Sequence, residues 1–341
     1  MLDIQYPSTC DAKAIFNFCD EIEARHGLER VIIDFSNMGR IEPFTMVYVA
    51  KYIRDFCRRN KDTVVSCKGH TTKDYAANMG FFRAFGLRHG REPNCVVGND
   101  RFVPYTILRI QTIVDEAVKE WDIEQEVIER RSAHLSEILA QQKTGNLVDA
   151  LTYSIREIMR NVYEHSQSKS IEYCAQYWPC YSKVEIAIVD HGIGLRKSLQ
   201  HNPHIQVENH CDAIQQALMP AISSKNFQGA IINTNDPWHN SGFGLYMINR
   251  ICRLGGSFLI CSGDHGIILD ENGKEHIEIP HLCNGTAVRM VLNTDRLTEL
   301  STMLAKFKND GYSVAKQIKG VGVYKASAAS QMLSRDFESN T

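Results

Sequence analysis

REIMRNVYEHS, residues 156–166, places Glu157, Asn161 and His165 at every fourth position, beside an apolar stripe of Leu151, Ile155, Ile158 and Val162. Spacings of three and four residues bring side chains onto one helical face. The segment from 147 to about 165 therefore reads as a helix with one stripe in a core and a polar row next to it. That row fits a solvated helix edge or the wall of a site. Working outward, IEYCAQYW (171–178) and KVEIAIVD (183–190) are alternating runs joined by PCYS, the pattern of a hairpin.

The second strand runs into Asp190-His191-Gly192-Ile193-Gly194-Leu195. Glycines let a backbone approach a flat or phosphorylated ligand closely, and an Asp can accept a hydrogen bond from an exocyclic amine. A plain strand-to-turn Asp-Gly fits the same letters. Residues 195–241 then lack a sustained period and are rich in Asn, His, Ser and Pro, so they read as a long loop with one short helix near 211–219. Loops of that length inside a compact domain usually serve as lids or binding loops. Asn240-Ser241-Gly242-Phe243-Gly244-Leu245 opens a helix over 243–254, where exposed N–H groups favour anions. Strands are predicted at 257–262, 266–270, 274–279 and 285–293, the last opened by Asn284-Gly285-Thr286, which equally fits a turn.

Toward the N-terminus, RVIIDFS (30–36) reads as a buried strand, 45–59 as a helix with Met46, Val49, Ile53 and Phe56 at helical spacing, TVVSC (63–67) as a strand and 72–86 as a helix. This alternation predicts a small α/β domain over 1–108. A charged linker helix follows over 109–145, then a second domain over 146–325 and a polar, flexible tail over 326–341. The linker helix could pair with a second copy, giving a homodimer.

With 341 residues, the chain has room for two ordinary domains. Its 38 Lys and Arg against 40 Asp and Glu leave a net charge of -2, which disfavours general nucleic-acid binding. No apolar stretch approaches membrane-spanning length, MLDIQYPSTC lacks a basic region followed by an apolar core, and none of the 11 cysteines falls in a Cys-x-x-Cys pair. Together these features predict a cytoplasmic protein with no membrane partner, whose cysteines are buried, reduced and silent.

The order and spacing of the four motifs, RE157IMRN161VYEH165S, VD190HG192IG194L, SG242FG244L and NG285T286A, resemble the ATP-binding domain of the GHKL superfamily. That superfamily includes type II topoisomerases, heat-shock chaperones, sensor histidine kinases and mismatch-repair ATPases. The resemblance covers about residues 145–295. It implies an α/β sandwich with a mixed sheet on one face and helices on the other, with ATP and Mg2+ as ligands. On this reading Asn161 ligates Mg2+, Asp190 reads the adenine amine, Gly192 and Gly194 admit the base, and Thr286 assists through a water. Gly242 and Gly244, within the Ser241–Leu245 loop that includes Phe243, wrap the phosphates. Glu157 takes the place of a base that activates water. ALMPAISSK, ending at Lys225, resembles the lid segment of sensor kinases; there Lys225 is either a phosphate contact or a solvated lysine.

Glu157, Asn161 and His165 are most similar to the pattern of anti-sigma-factor serine kinases. VIIDFSNMGRIEPFTMVYVAKYI and NMGFFRAFGL resemble a STAS domain, the fold of the antagonists those kinases phosphorylate, over about residues 5–90. Where antagonists carry an acceptor serine, this chain reads Ile41-Glu42-Pro43-Phe44-Thr45, so the domain is expected to dock or regulate. The implied function is partner switching: ATP hydrolysis or serine/threonine phosphotransfer controls a protein partner, either a regulatory factor or a STAS-type protein. The alternatives are a sensor-histidine-kinase-like catalytic protein and a non-catalytic nucleotide-binding interaction protein. His134 lacks the residues that follow a kinase phosphoacceptor and reads as a surface histidine. His201, His204, His210 and Cys211 have a spacing metals use, but lie in the loop, where solvation is the simpler reading.

Overall fold

The computed structural model describes residues 3–95, 101–232, 236, 238–297, 300–323 and 325–327. The chain begins with β1 (Ile4–Gln5), α1 (Ala12–Glu23), β2 (Arg30–Asp34), α2 (Pro43–Arg59) and β3 (Val64–Lys68), followed by short helices α3 (Asp74–Asn78) and α4 (Phe81–Ala84). Strands β1, β2 and β3 lie side by side in a parallel three-stranded sheet, with β2 in the centre. Parallel neighbours need crossovers, and α1 and α2 supply them. The single helix predicted over 72–86 is two, interrupted at Gly80, whose φ of 85° lies in the left-handed region.

Next come β4 (Phe102–Arg109), α5 (Ile110–Glu120), α6 (Glu124–Ala140), α7 (Asn146–Asn161), β5 (Ser170–Trp178), β6 (Lys183–Asp190), α8 (Gly194–Leu199), α9 (His210–Ala217), α10 (Gly244–Cys252), β7 (Ser257–Asp270), β8 (Lys274–Asn293) and α11 (Leu300–Ala315). The strands form a five-stranded sheet in the order β4-β5-β6-β8-β7. Every neighbouring pair in it is antiparallel, so the expected mixed sheet is corrected. The reason is connectivity: β5–β6 and β7–β8 are hairpins, and β4 joins the β5 edge in the opposite direction. The four strands predicted over 257–293 fuse into one long hairpin, irregular between Cys261 and His265.

The stretch 109–145 holds two helices rather than one, separated by a turn at Trp121 with φ 56°. Both contribute to the core that α7 and α10 form against one face of the large sheet. Strand β6 alternates cleanly, with Val184, Ile186 and Ile188 in this core while Ala187 and Val189 point to the opposite face. That opposite face is covered by the N-terminal elements, chiefly α2, whose Met46, Val49 and Ile53 share a cluster with Cys174, Ala187 and Ala287. Helix α2 therefore lies between two sheets and is buried almost all round from Pro43 to Ile53, Lys51 included. Thr45 is buried too.

Polar groups on this second face are matched across the contact. Glu172 binds Arg54 through both oxygens, at 2.5 and 2.6 Å, and His191 at 2.8 Å. Burial alone would raise its carboxyl; His191 and Arg54 hold it down at about 2. Glu185 accepts from the Phe44 N–H at 3.1 Å and from Arg289 at 2.9 Å. Because Glu42 makes no side-chain cap, Glu185 satisfies the first turn of α2 from the other sheet.

Among the described residues, no helix is long and apolar enough to cross a membrane. The polar tail over 326–341 falls, from 328 onward, outside the described residues. Cys19, Cys174, Cys252, Cys261 and Cys283 are buried as expected, but Cys95 and Cys180 are exposed.

Candidate functional site

Helix α7 is amphipathic along its length and ends in a single π-helical turn, Val162–Ser166. Such turns are rare and recur at functional sites. Here the widened turn carries His165 toward the same hollow that Asn161 faces, and it presents the Ser166 carbonyl to the Asp190 turn. Ile193 N–H donates to that carbonyl at 2.8 Å. A Cβ on Gly192 would sit 2.0 Å from the same oxygen, so this glycine is required by packing against the π turn.

The hollow is a cavity on the helical side of the large sheet. Asn161, His165, Asp190, Gly194, Gly242, Gly244, Leu245 and Thr286 all line it, so the four motifs converge. Its floor is apolar, with Ile188, Ile260 and Val288 from neighbouring strands. Asp190 is 2 % exposed at the end of β6. Its Oδ1 accepts from the Gly192 N–H at 2.6 Å. Burial pushes its carboxyl up, opposed by that N–H, by Lys51 and His191, and by the Thr286 hydroxyl. Gly194, with φ 74°, and Gly285, with φ 79°, let the strand ends close on it: a Cβ on Gly285 would meet the Asp190 carbonyl at 2.4 Å. Ser262 Oγ ties them together by donating to the Gly285 carbonyl and accepting from Leu195 N–H, both at 3.0 Å.

At the other end lies the N-terminus of α10. Gly242, φ 72°, packs on the backbone of the 195–241 loop, where a Cβ would meet Ala221 and Ile222 at 2.7 Å. Ser223 and Ser224 of the same loop also line the cavity. His165 stands between them and Asn240: its Nε2 receives the Asn240 amide, which leaves the proton on Nδ1 for Ser224 Oγ at 3.0 Å. Burial lowers the His165 pKa to about 4; Glu164 opposes this, while Lys225 and Arg160 add to it. The ring is neutral at pH 7.

The remaining candidates stand elsewhere. Glu157 and Ser241 line a smaller adjoining cavity, which shares Asn161, Gly242 and Gly244. Glu157 Oε1 is held by Arg156 at 3.1 Å and Arg160 at 3.5 Å. Its Oε2 faces Gly244, where a Cβ would lie 2.5 Å away. Phe243 is fully buried, with its ring centroid 5.5 Å from that of Tyr312, and is a core residue. Lys225 is exposed beside Ser224, and Gly192 does not line the main cavity. His134 is exposed on α6. His201 and His204 bind backbone carbonyls of Ser198 and Gln228, and His210 binds Asp264, so these three histidines do not converge.

Ser198, Ser223, Ser224 and Asn240 line the cavity without having been assigned a role from the sequence, although Asn240 opens the glycine motif and the two serines stand immediately before Lys225. Ser198 belongs to α8, a helix in what read as loop. No protein-family model matches the chain, and no curated protein matches it in sequence.

Proposed function

We propose that the chain is a Mg-ATP-binding regulatory protein of the GHKL superfamily, in which hydrolysis or serine/threonine phosphotransfer controls a protein partner. One observation carries this reading: motifs spread from Asn161 to Thr286 meet in one cavity with a buried carboxylate at one end and a glycine-bounded helix N-terminus at the other. The donor set fits a purine nucleotide. Asp190 and Thr286 offer acceptors at the apolar floor, where a base stacks, and Asp190 selects an exocyclic amine. The N-terminus of α10 and neutral His165 suit an anionic tail. Asn161, a neutral oxygen donor between the two cavities, would hold Mg2+. When bound, Mg-ATP supplies a transferable phosphoryl group.

Glu157 would orient or deprotonate a nucleophile through Oε2, the oxygen turned toward Gly244. The N-terminal elements, with a parallel sheet and α2 laid on the large sheet, suit a STAS-like docking or regulatory unit. Burial of Thr45 supports docking over an acceptor role. A second reading, nucleotide retained without turnover, is favoured by the two guanidiniums on Glu157, which already occupy its Oε1.

Calorimetry with Mg-ATP tests the proposal. Wild type should bind one equivalent and Asp190→Ala none; a wild type that binds no nucleotide ends it. Phosphate release then separates the two readings. If Glu157 is the base, Glu157→Ala loses about 10²–10⁴-fold in turnover, whereas equal, negligible turnover in both proteins supports binding alone.

A further inference from the structure

We propose that Cys211, His265 and His276 form a site for a divalent cation of the zinc class, fastening α9 to the β7–β8 hairpin. The three side chains come from separate elements: Cys211 from the first turn of α9, His265 from β7 and His276 from β8. Their ligand atoms all lie within 4.8 Å of one another. His276 Nδ1 is 3.1 Å from His265 Nε2 and 3.4 Å from Cys211 Sγ. Tetrahedral zinc with Zn–N of about 2.0–2.1 Å and Zn–S of about 2.3 Å sets ligand–ligand edges near ~3.3 and ~3.6 Å, close to the spacing found.

Hydrogen bonding alone explains this arrangement poorly. One nitrogen, His276 Nδ1, is the near neighbour of both other ligand atoms, and it has a single proton or a single lone pair to offer. It can satisfy one of them. A cation at the centre satisfies all three lone pairs at once. A thiolate with two neutral imidazoles is a donor set for zinc-class ions rather than for Mg2+ or Ca2+, which take oxygen.

The surroundings support the geometry. Gln215 Nε2 donates to Cys211 Sγ at 3.3 Å and is itself held by Lys274 Nζ at 2.9 Å, so the sulfur has an outer-shell donor. His265 pairs across the hairpin with Glu278, and His276 with Ile267, which puts the two histidines on a diagonal of one sheet face. The hairpin irregularity at Gly263 brings α9 close: a Cβ there would lie 2.4 Å from the His210 ring, next to Cys211. The far end of α9 is Ala217, which lines the large cavity. A cation at the near end therefore fixes a helix that forms one wall of that cavity; this last link alone rests on the nucleotide reading.

The test uses the full chain, reduced, stripped of metal and free of nucleotide, so that its outcome is independent of ATP. Titration with Co2+ should give one equivalent of tetrahedral complex with a thiolate-to-cobalt absorption band, displaced by Zn2+, and Zn2+ should raise the melting temperature. Cys211→Ser and His276→Gln should each abolish the band and the thermal shift while melting like metal-free wild type. Cys95→Ser and Cys180→Ser, which remove the exposed thiols, should retain both. A wild type without the cobalt–thiolate band, or a band that survives in Cys211→Ser, overturns the proposal.

Discussion

His165 shows how a single side chain sets a pH limit. Its folded pKa of about 4 lies below the ordinary 6.5, so the unfolded chain takes up a proton that the folded chain refuses. Its stabilising contribution is complete above about pH 6.5 and drains away as the pH falls toward 4, by roughly 3 kcal/mol if the whole displacement is realised. Urea unfolding at pH 7 and pH 4.5 should show that loss in wild type, and His165→Gln, which keeps polar contacts without titrating, should flatten it. An equally steep profile in the variant would exclude this ring as the source. At this scale the sequence singled out eight of the residues that line the cavity, because glycines, Asp190 and the polar row of α7 stand out as residue types. It did not show what each of them packs against. Gly192 was assigned to a ligand, but its neighbour is a carbonyl 26 residues earlier in the chain, at Ser166, and no local spacing reveals that contact.

Among the elements, α2 departs furthest from its pattern. Helical spacing puts its basic residues on other faces than Met46, Val49, Ile53 and Phe56, yet Lys51 is 4 % exposed and pairs with Asp55 at 2.9 Å. Glu172 and Glu185 occupy the polar places of alternating strands. The structure buries both beneath α2, where Arg54 and Arg289 meet them. Periodicity reports only that a residue is polar; whether its partner is water or an arginine more than a hundred residues away is a tertiary matter. Removing one member of such a pair strands the other. Arg54→Ala should lower stability by about 3–5 kcal/mol in chemical denaturation, because Glu172 is left buried and ionised. A loss below about 1 kcal/mol, the usual size for an exposed pair, would mean that water reaches Glu172 freely. The order from β2 to β3 and from α7 to β6 was legible from hydrophobic period, whereas β1, α1 and β4 were not predicted. Helix α8 and the fused β7–β8 hairpin were not, since glycine and histidine interrupt the period where the backbone continues.

For the whole molecule, the decisive contact is the one between the two sheets. Helix α2 belongs to the core of the small sheet and also covers the second face of the large one, so neither sheet is covered without the other. The chain should therefore melt in a single calorimetric transition, with the calorimetric and van't Hoff enthalpies equal. Two resolved transitions would show that the halves are independent. The same arrangement constrains how the protein is made. Asn293, the last residue of the strand that completes the seat for α2, lies 234 residues after Arg59, the end of that helix. At translation rates of about 5–20 residues per second, α2 spends on the order of 10–50 s outside the ribosome before its second partner exists. During synthesis, the helix that joins the finished molecule thus carries one uncovered apolar side, and the nascent chain needs a chaperone's shelter for longest at its N-terminal third.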